Sequence, residues 1–137
     1  LLGAEANEIS PYKRPLSSMT PTIVMKNDEF FFTTGSPGGS RIISAVLQSI
    51  LNIIDFDMDL EQTNNARRIH HQWQPDVLQI EFSVEDSIKD KLLSLNYNVQ
   101  VIEAATCLQT IMYKDGTYFG YGDFRRPDAF ASGDIND

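Results

Sequence analysis

A glycine-rich turn, Thr33-Thr34-Gly35-Ser36-Pro37-Gly38-Gly39-Ser40-Arg41, separates two apolar stretches of different character. Before it stands the aromatic run Phe30-Phe31-Phe32. After it, Ile42, Ile43, Val46, Leu47, Ile50, Leu51 and Ile54 recur at helical spacing and make a wide apolar face. The pattern predicts a strand, a tight turn, and then a helix over about 40–54 lying against a sheet. Either Ser40 or the Ser36-Pro37 pair suits the helix start. A turn of this kind leaves backbone N–H groups free where the helix macrodipole favours negative charge. An anion or a developing oxyanion is therefore the ligand expected there, and the rest of the chain has to supply the chemistry.

Around this turn the chain reads as alternating short elements. Residues 1–15 form a polar, extended lead-in. In Lys13-Arg14-Pro15-Leu16-Ser17-Ser18-Met19-Thr20-Pro21, two prolines bracket Ser17 and Ser18 and hold them in a stiff, non-helical segment. Both a hydroxyl-presenting segment and a plain proline-bounded loop fit that description. Thr22-Ile23-Val24-Met25 and residues 29–34 form a hairpin around Lys26-Asn27-Asp28. Asp59 caps a short helix to Asn65; Leu78, Ile80 and Phe82 alternate as a strand. Ser83 and Asp86 resemble a capping box for a helix whose Val84, Ile88, Leu92 and Leu95 should face the core. A strand over 98–102 follows, then a hairpin of 108–113 and 117–121 about Lys114-Asp115-Gly116, and a polar surface tail from Asp123. Helices layered on largely antiparallel sheet, an α+β class, is the architecture this order suggests.

Composition narrows the function. At 137 residues the chain is expected to form a single domain, 1–137, with a real core. A net charge of −8 argues against nucleic acid as a partner, and positive charge is confined to pairs such as Arg67-Arg68 and Arg125-Arg126. Cys107 is the lone cysteine, so neither an intrachain disulfide nor a cysteine-based zinc site can form within the chain, and its apolar setting suits a small buried side chain. Gln48, Ser49 and Asn52 interrupt the longest apolar stretch, which leaves no room for a membrane-spanning helix. The start at Leu1, without a methionine or a signal peptide, suggests a processed or truncated chain.

Few residues suggest chemistry directly. His70 and His71 are adjacent, so in an extended segment they point to opposite sides, and a structural role beside Trp73 or on backbone is favoured over metal or base. No metal site and no cofactor is called for. A serine nucleophile among Ser17, Ser18, Ser36 and Ser40 lacks a base nearby in sequence. The glycine turn lacks the Gly-Lys-Ser/Thr ending of a phosphate-binding loop. What remains is half of an anion or oxyanion site.

Three stretches carry a resemblance. Lys13-Arg14-Pro15-Leu16-Ser17-Ser18-Met19-Thr20-Pro21-Thr22, Gly35-Ser36-Pro37-Gly38-Gly39-Ser40-Arg41-Ile42-Ile43 and Asn64-Asn65-Ala66-Arg67-Arg68-Ile69-His70-His71-Gln72-Trp73-Gln74-Pro75-Asp76 closely resemble the small subunit of the γ-glutamyltranspeptidase family. The resemblance implies part of a four-layer αββα N-terminal-nucleophile hydrolase sandwich. It implies a precursor that cleaves itself into large and small subunits, whose new N-terminal threonine attacks the γ-glutamyl amide of substrates such as glutathione. The glutamyl group then passes to water, an amino acid or a peptide. By this resemblance Ser17 and Ser18 hold the α-carboxylate of the substrate, and Gly38 and Gly39 form the oxyanion hole.

The match also has departures. No residue corresponds to the family's Thr-Thr-His-like start, and Thr33-Thr34 is an internal strand end without a free amino group. Gly122-Asp123-Phe124-Arg125-Arg126-Pro127 resembles the family's Asp-Pro-Arg element with Phe124 in place of proline. The chain is thus expected to be the C-terminal two-thirds or so of a small subunit, inactive alone, with the large subunit as partner and exposed edges inviting self-association. A related acylase and a non-catalytic interaction module are the alternatives. A periplasmic or extracellular location follows by resemblance only.

Overall fold

The computed structural model describes residues 5–82, 84–104 and 106–133. After the proline-bounded segment comes a hairpin of β1 (Thr22–Lys26) and β2 (Glu29–Gly35). Asn27 and Asp28 both take positive φ, 54° and 65°, and such a pair gives a two-residue turn whose twist matches the strands it joins. A second hairpin, β6 (Gln109–Lys114) and β7 (Thr117–Gly122), turns the same way at Asp115 and Gly116, with φ of 51° and 82°. The hairpins join through β2 and β6 into one antiparallel sheet of order β1-β2-β6-β7. Gly35, the last residue of β2, pairs with Gln109, so the glycine turn begins where the sheet ends.

Two helices, α1 (Arg41–Ile54) and α2 (Leu60–Asn65), follow the turn. As expected, Asp59 caps α2: its carboxylate accepts from the Gln62 N–H at 2.8 Å, while Gln62 Oε1 accepts from the Asp59 N–H at 3.0 Å. A second sheet then forms from β3 (Ile69–His70), β4 (Leu78–Glu81) and β5 (Val99–Ile102), in that order. Its β4–β5 pair is parallel, which requires a crossover, and α3 (Asp86–Ser94) provides it.

The apolar core is Phe32, Ile53, Leu60 and Met112, where α1 and α2 cross the four-stranded sheet. Full burial of such a side chain contributes about 1.5–3 kcal/mol. Beside it runs a buried polar column. The Thr34 hydroxyl lies 3.3 Å from Ser49 Oγ and 3.2 Å from Thr110 Oγ1. Thr110 donates to Asn64 Oδ1 at 3.0 Å, and Asn64 Nδ2 donates to the Tyr121 carbonyl at 2.8 Å. Each buried hydroxyl and amide in it has a partner, as burial demands. The Ser49 that interrupts the apolar stretch of α1 thus serves the sheet beneath it.

Three expectations are corrected. First, α3 buries none of its residues, and Ile88 and Leu95 are 49% and 55% exposed. Periodicity identifies the apolar face of a helix but not whether anything covers it. Ser83, expected to cap this helix, lies outside the described residues. Second, only one flank of α1 is covered: Ile42, Ala45, Val46, Ser49 and Ile53 are buried, while Ile43, Leu47 and Ile54 are exposed. Third, the segment from Asp123 leaves the interior only after its first residues: Asp123 is fully buried between two arginines and the Arg125 side chain is buried with it, while most of residues 126–133 are exposed as expected.

Candidate active site

The glycine turn takes the conformation its composition requires. Gly38 has φ of 139° and Gly39 of 60°, in the half of backbone space where a Cβ is strained. The N–H groups of Arg41 and Ile42, first in α1, donate at 3.2 Å to the carbonyls of Gly38 and Gly39. Among the described residues the Gly38 and Gly39 N–H groups themselves have no acceptor. Ser40 occupies the helix-capping position without a side-chain cap bond. Ser36 turns elsewhere: its hydroxyl donates to the Pro37 carbonyl at 2.7 Å and accepts from the Cys107 N–H at 3.0 Å.

The proline-bounded serines come to this turn. Ser18 Oγ donates to the Gly39 carbonyl at 2.7 Å, across 21 residues of sequence. Ser17 Oγ accepts from the Met19 N–H at 3.1 Å and is exposed, so its own proton remains available to a ligand. Thr20 and Thr22 stiffen the approach by donating to the Ser18 and Thr20 carbonyls at 2.9 and 3.1 Å. The four residues singled out from sequence, Ser17, Ser18, Gly38 and Gly39, therefore lie on two adjoining segments.

The threonines before the turn are occupied. Thr33 Oγ1 donates to the Thr22 carbonyl at 2.9 Å, and Thr34 belongs to the polar column. The histidines have structural partners. His70 lies between Ser44 Oγ at 2.8 Å and Gln72 Oε1 at 3.0 Å. His71 accepts from the Trp73 N–H at 3.2 Å and pairs with Asp76 at 3.0 Å.

Behind the turn lies a feature the sequence reading missed. Arg68, Glu81, Asp123 and Arg125 form a buried quartet of charges. Arg68 Nη2 donates to Asp123 Oδ2 at 2.6 Å and to the Asn64 carbonyl at 2.7 Å. Arg125 donates to Asp123 Oδ1 at 3.0 Å, to Glu81 Oε2, and to the Asn64 and Ala66 carbonyls at 2.8 and 2.9 Å. Asp123 Oδ2 also accepts from the Leu108 N–H at 2.8 Å. Burial alone would raise the Asp123 carboxyl. The Arg68 charge and the N–H groups of Arg125 and Leu108 outweigh it and hold the group below the usual carboxylate range. Arg68 is lowered, first by burial and then by the neighbouring Arg125 charge, against the opposing pull of Asp123 and Glu81. Burial, with the Asp123 charge, pushes the Cys107 thiol up, which suits an inert side chain. The available signal was the pairing of arginines in an acidic chain, which reveals cations but not their distant partners.

The γ-glutamyltranspeptidase family model matches residues 2–133. Glutathione hydrolase proenzyme of Escherichia coli (strain K12) is 43% identical over 134 residues, covering 97% of this chain and 23% of that protein. The chain thus spans less than a quarter of that relative's length. Among solved structures, the Helicobacter pylori γ-glutamyltranspeptidase T380A mutant aligns with a TM-score of 0.84 and 43% identity, over 92% of this chain and 70% of that one. The γ-glutamyltranspeptidase of Pseudomonas nitroreducens complexed with L-DON aligns with a TM-score of 0.86 and 30% identity, over 100% of this chain and 72% of that one.

Proposed function

The chain belongs to the γ-glutamyltranspeptidase family, and on that premise we propose that it is the part of a γ-glutamyltransferase, or glutathione hydrolase, that binds and polarises the γ-glutamyl amide. The single observation that carries this reading is the 2.7 Å hydrogen bond from Ser18 Oγ to the Gly39 carbonyl, which joins a carboxylate-binding segment to an oxyanion-binding turn.

Each part then has a role. Ser17 donates its free hydroxyl proton to the α-carboxylate of the γ-glutamyl group, and Ser18 turns its proton from the Gly39 carbonyl to the same carboxylate when substrate binds; that anchoring presents the scissile carbonyl to the turn. The N–H groups of Gly38 and Gly39 donate to the carbonyl oxygen as it becomes negative. The α1 N-terminus behind them adds its positive end. Removing one such donor typically costs about 3–4 kcal/mol of transition-state stabilisation. The attacking threonine implied by the family matches no residue in this chain and comes from elsewhere in the proenzyme. Its large subunit is the proposed partner, and residues 1–137 act as one unit within the small subunit. Apart from that partner, the chain self-associates through its uncovered apolar surface.

Alanine at both Ser17 and Ser18 in the full-length gene product tests the reading. Loss of two hydrogen bonds to a charged group lowers kcat/KM for a γ-glutamyl anilide by about a hundredfold or more. Glutaryl and poly-γ-glutamyl amides serve as comparison substrates. An unchanged kcat/KM for the γ-glutamyl anilide overturns the assignment.

A further inference from the structure

We propose that Ser36 is a positioning residue that aims the Gly38 N–H at the developing oxyanion. The inference rests on the reading of Gly38 and Gly39 as oxyanion donors. A peptide group is planar, so a carbonyl and the N–H of the following residue turn together. The Gly39 N–H shares its plane with the Gly38 carbonyl, and that carbonyl is held by the Arg41 N–H at the start of α1. The Gly38 N–H shares its plane with the Pro37 carbonyl. That carbonyl is held by the Ser36 hydroxyl at 2.7 Å. Each donor is thus aimed from the opposite end of its own peptide plane, one by the helix and one by a side chain.

The Ser36 hydroxyl is itself fixed. It accepts from the Cys107 N–H at 3.0 Å, and the next N–H, that of Leu108, is held by Asp123 Oδ2 at 2.8 Å. With its proton committed to Pro37 and a lone pair committed to Cys107, the hydroxyl has a defined direction. Proline restrains its own φ but leaves ψ open, and ψ of Pro37 is the torsion that would swing the Gly38 N–H away. The Ser36 bond closes that freedom. It also connects the turn to the buried quartet through two consecutive backbone amides, 71 residues away in sequence.

Two measurements on the full-length gene product decide the matter. In steady-state hydrolysis of a γ-glutamyl anilide, Ser36→Ala lowers kcat about tenfold, the effect of one lost hydrogen bond. KM stays within about twofold, because the carboxylate contacts of Ser17 and Ser18 are untouched. Ser36→Thr, which keeps the hydroxyl, restores most of kcat. An unchanged kcat in Ser36→Ala, or a loss that appears only in KM, overturns the proposal. Amide hydrogen exchange read by NMR needs no substrate: exchange at Cys107 accelerates several-fold in Ser36→Ala and returns to the native rate in Ser36→Thr. Unchanged exchange overturns the Ser36–Cys107 connection even if the native protein proves inactive, whereas inactivity with altered exchange overturns only the enzymatic reading.

Discussion

Gly39 and Gly35 bracket the same turn but differ in what they require. Gly39 has φ of 60° and open space around its Cα, so alanine there meets no neighbour and bears only the left-handed strain, about 1–2 kcal/mol. Gly35 has equal room and ordinary strand geometry. Thermal unfolding should therefore show a lowered midpoint for Gly39→Ala and little change for Gly35→Ala. Asp123 makes a different residue-scale prediction. Because its folded carboxyl lies below the unfolded value of about 3.9, its stabilisation is fully present above that pH and is lost as pH falls through the folded value. Urea unfolding from pH 7 downward should show a loss of stability at acid pH that Asp123→Asn abolishes. The backbone settings of Gly38, Gly39, Ser17 and Ser18 were legible in sequence, since turn glycines and proline-bounded serines announce their geometry locally, whereas their grouping as one site came from the family resemblance. Asp123 and Glu81 were not. A carboxylate in a polar stretch has the same local signature whether solvated or buried, and Arg68 stands 55 residues from Asp123.

Among the elements, the hairpins and the α2 cap were readable because their signals are short-range, whereas Ser40 makes no side-chain cap bond and α3 has Glu85 at its cap position. Asn27-Asp28 and Asp115-Gly116 name their turns, and Asp59 with Gln62 names its cap. Coverage was not readable, as α3 and the outer flank of α1 demonstrate: amphipathic spacing shows which face wants a partner, and only tertiary structure shows whether it finds one. The end of β7 adds a constraint of its own. A Cβ on Gly122 would stand 2.6 Å from the carbonyl carbon and oxygen of Ala129, and one on Gly120 would stand 3.0 Å from the Ala131 methyl. Both glycines let a later segment lie flat on the strand. Gly122→Ala should lift residues 129–131 from β7, and NOEs between the Ala131 methyl and Gly120 should disappear. Their persistence would show that the segment is held by something else.

For the whole molecule, the accessible surface is large for the chain's mass. The chain has an accessible surface of 10033 Å², against about 7,200 Å² for a compact monomer of 15.5 kDa. Ile43, Leu47, Leu51 and Ile54 contribute a continuous apolar stripe on α1. Expressed alone, the chain should elute above its monomer mass in light scattering at micromolar concentration, and Leu47→Lys should shift it towards 15.5 kDa. A monomer at every concentration would count against the proposed self-association. Sequence pattern conveyed the α+β class because it lies in the order of elements; it could not convey which apolar surfaces are left uncovered.

The charge quartet joins both sheets to the helices, and it is electrically neutral as a unit. Arg68 and Arg125 carry two positive charges, Glu81 and Asp123 two negative ones, and all are buried. Any single neutralising change leaves an uncompensated charge in the interior, at a cost of about 3–5 kcal/mol. A matched pair of changes removes one charge of each sign and keeps the balance. Positions 68, 81, 123 and 125 are therefore energetically coupled, and a charge-matched double change should cost less than the sum of its two single changes.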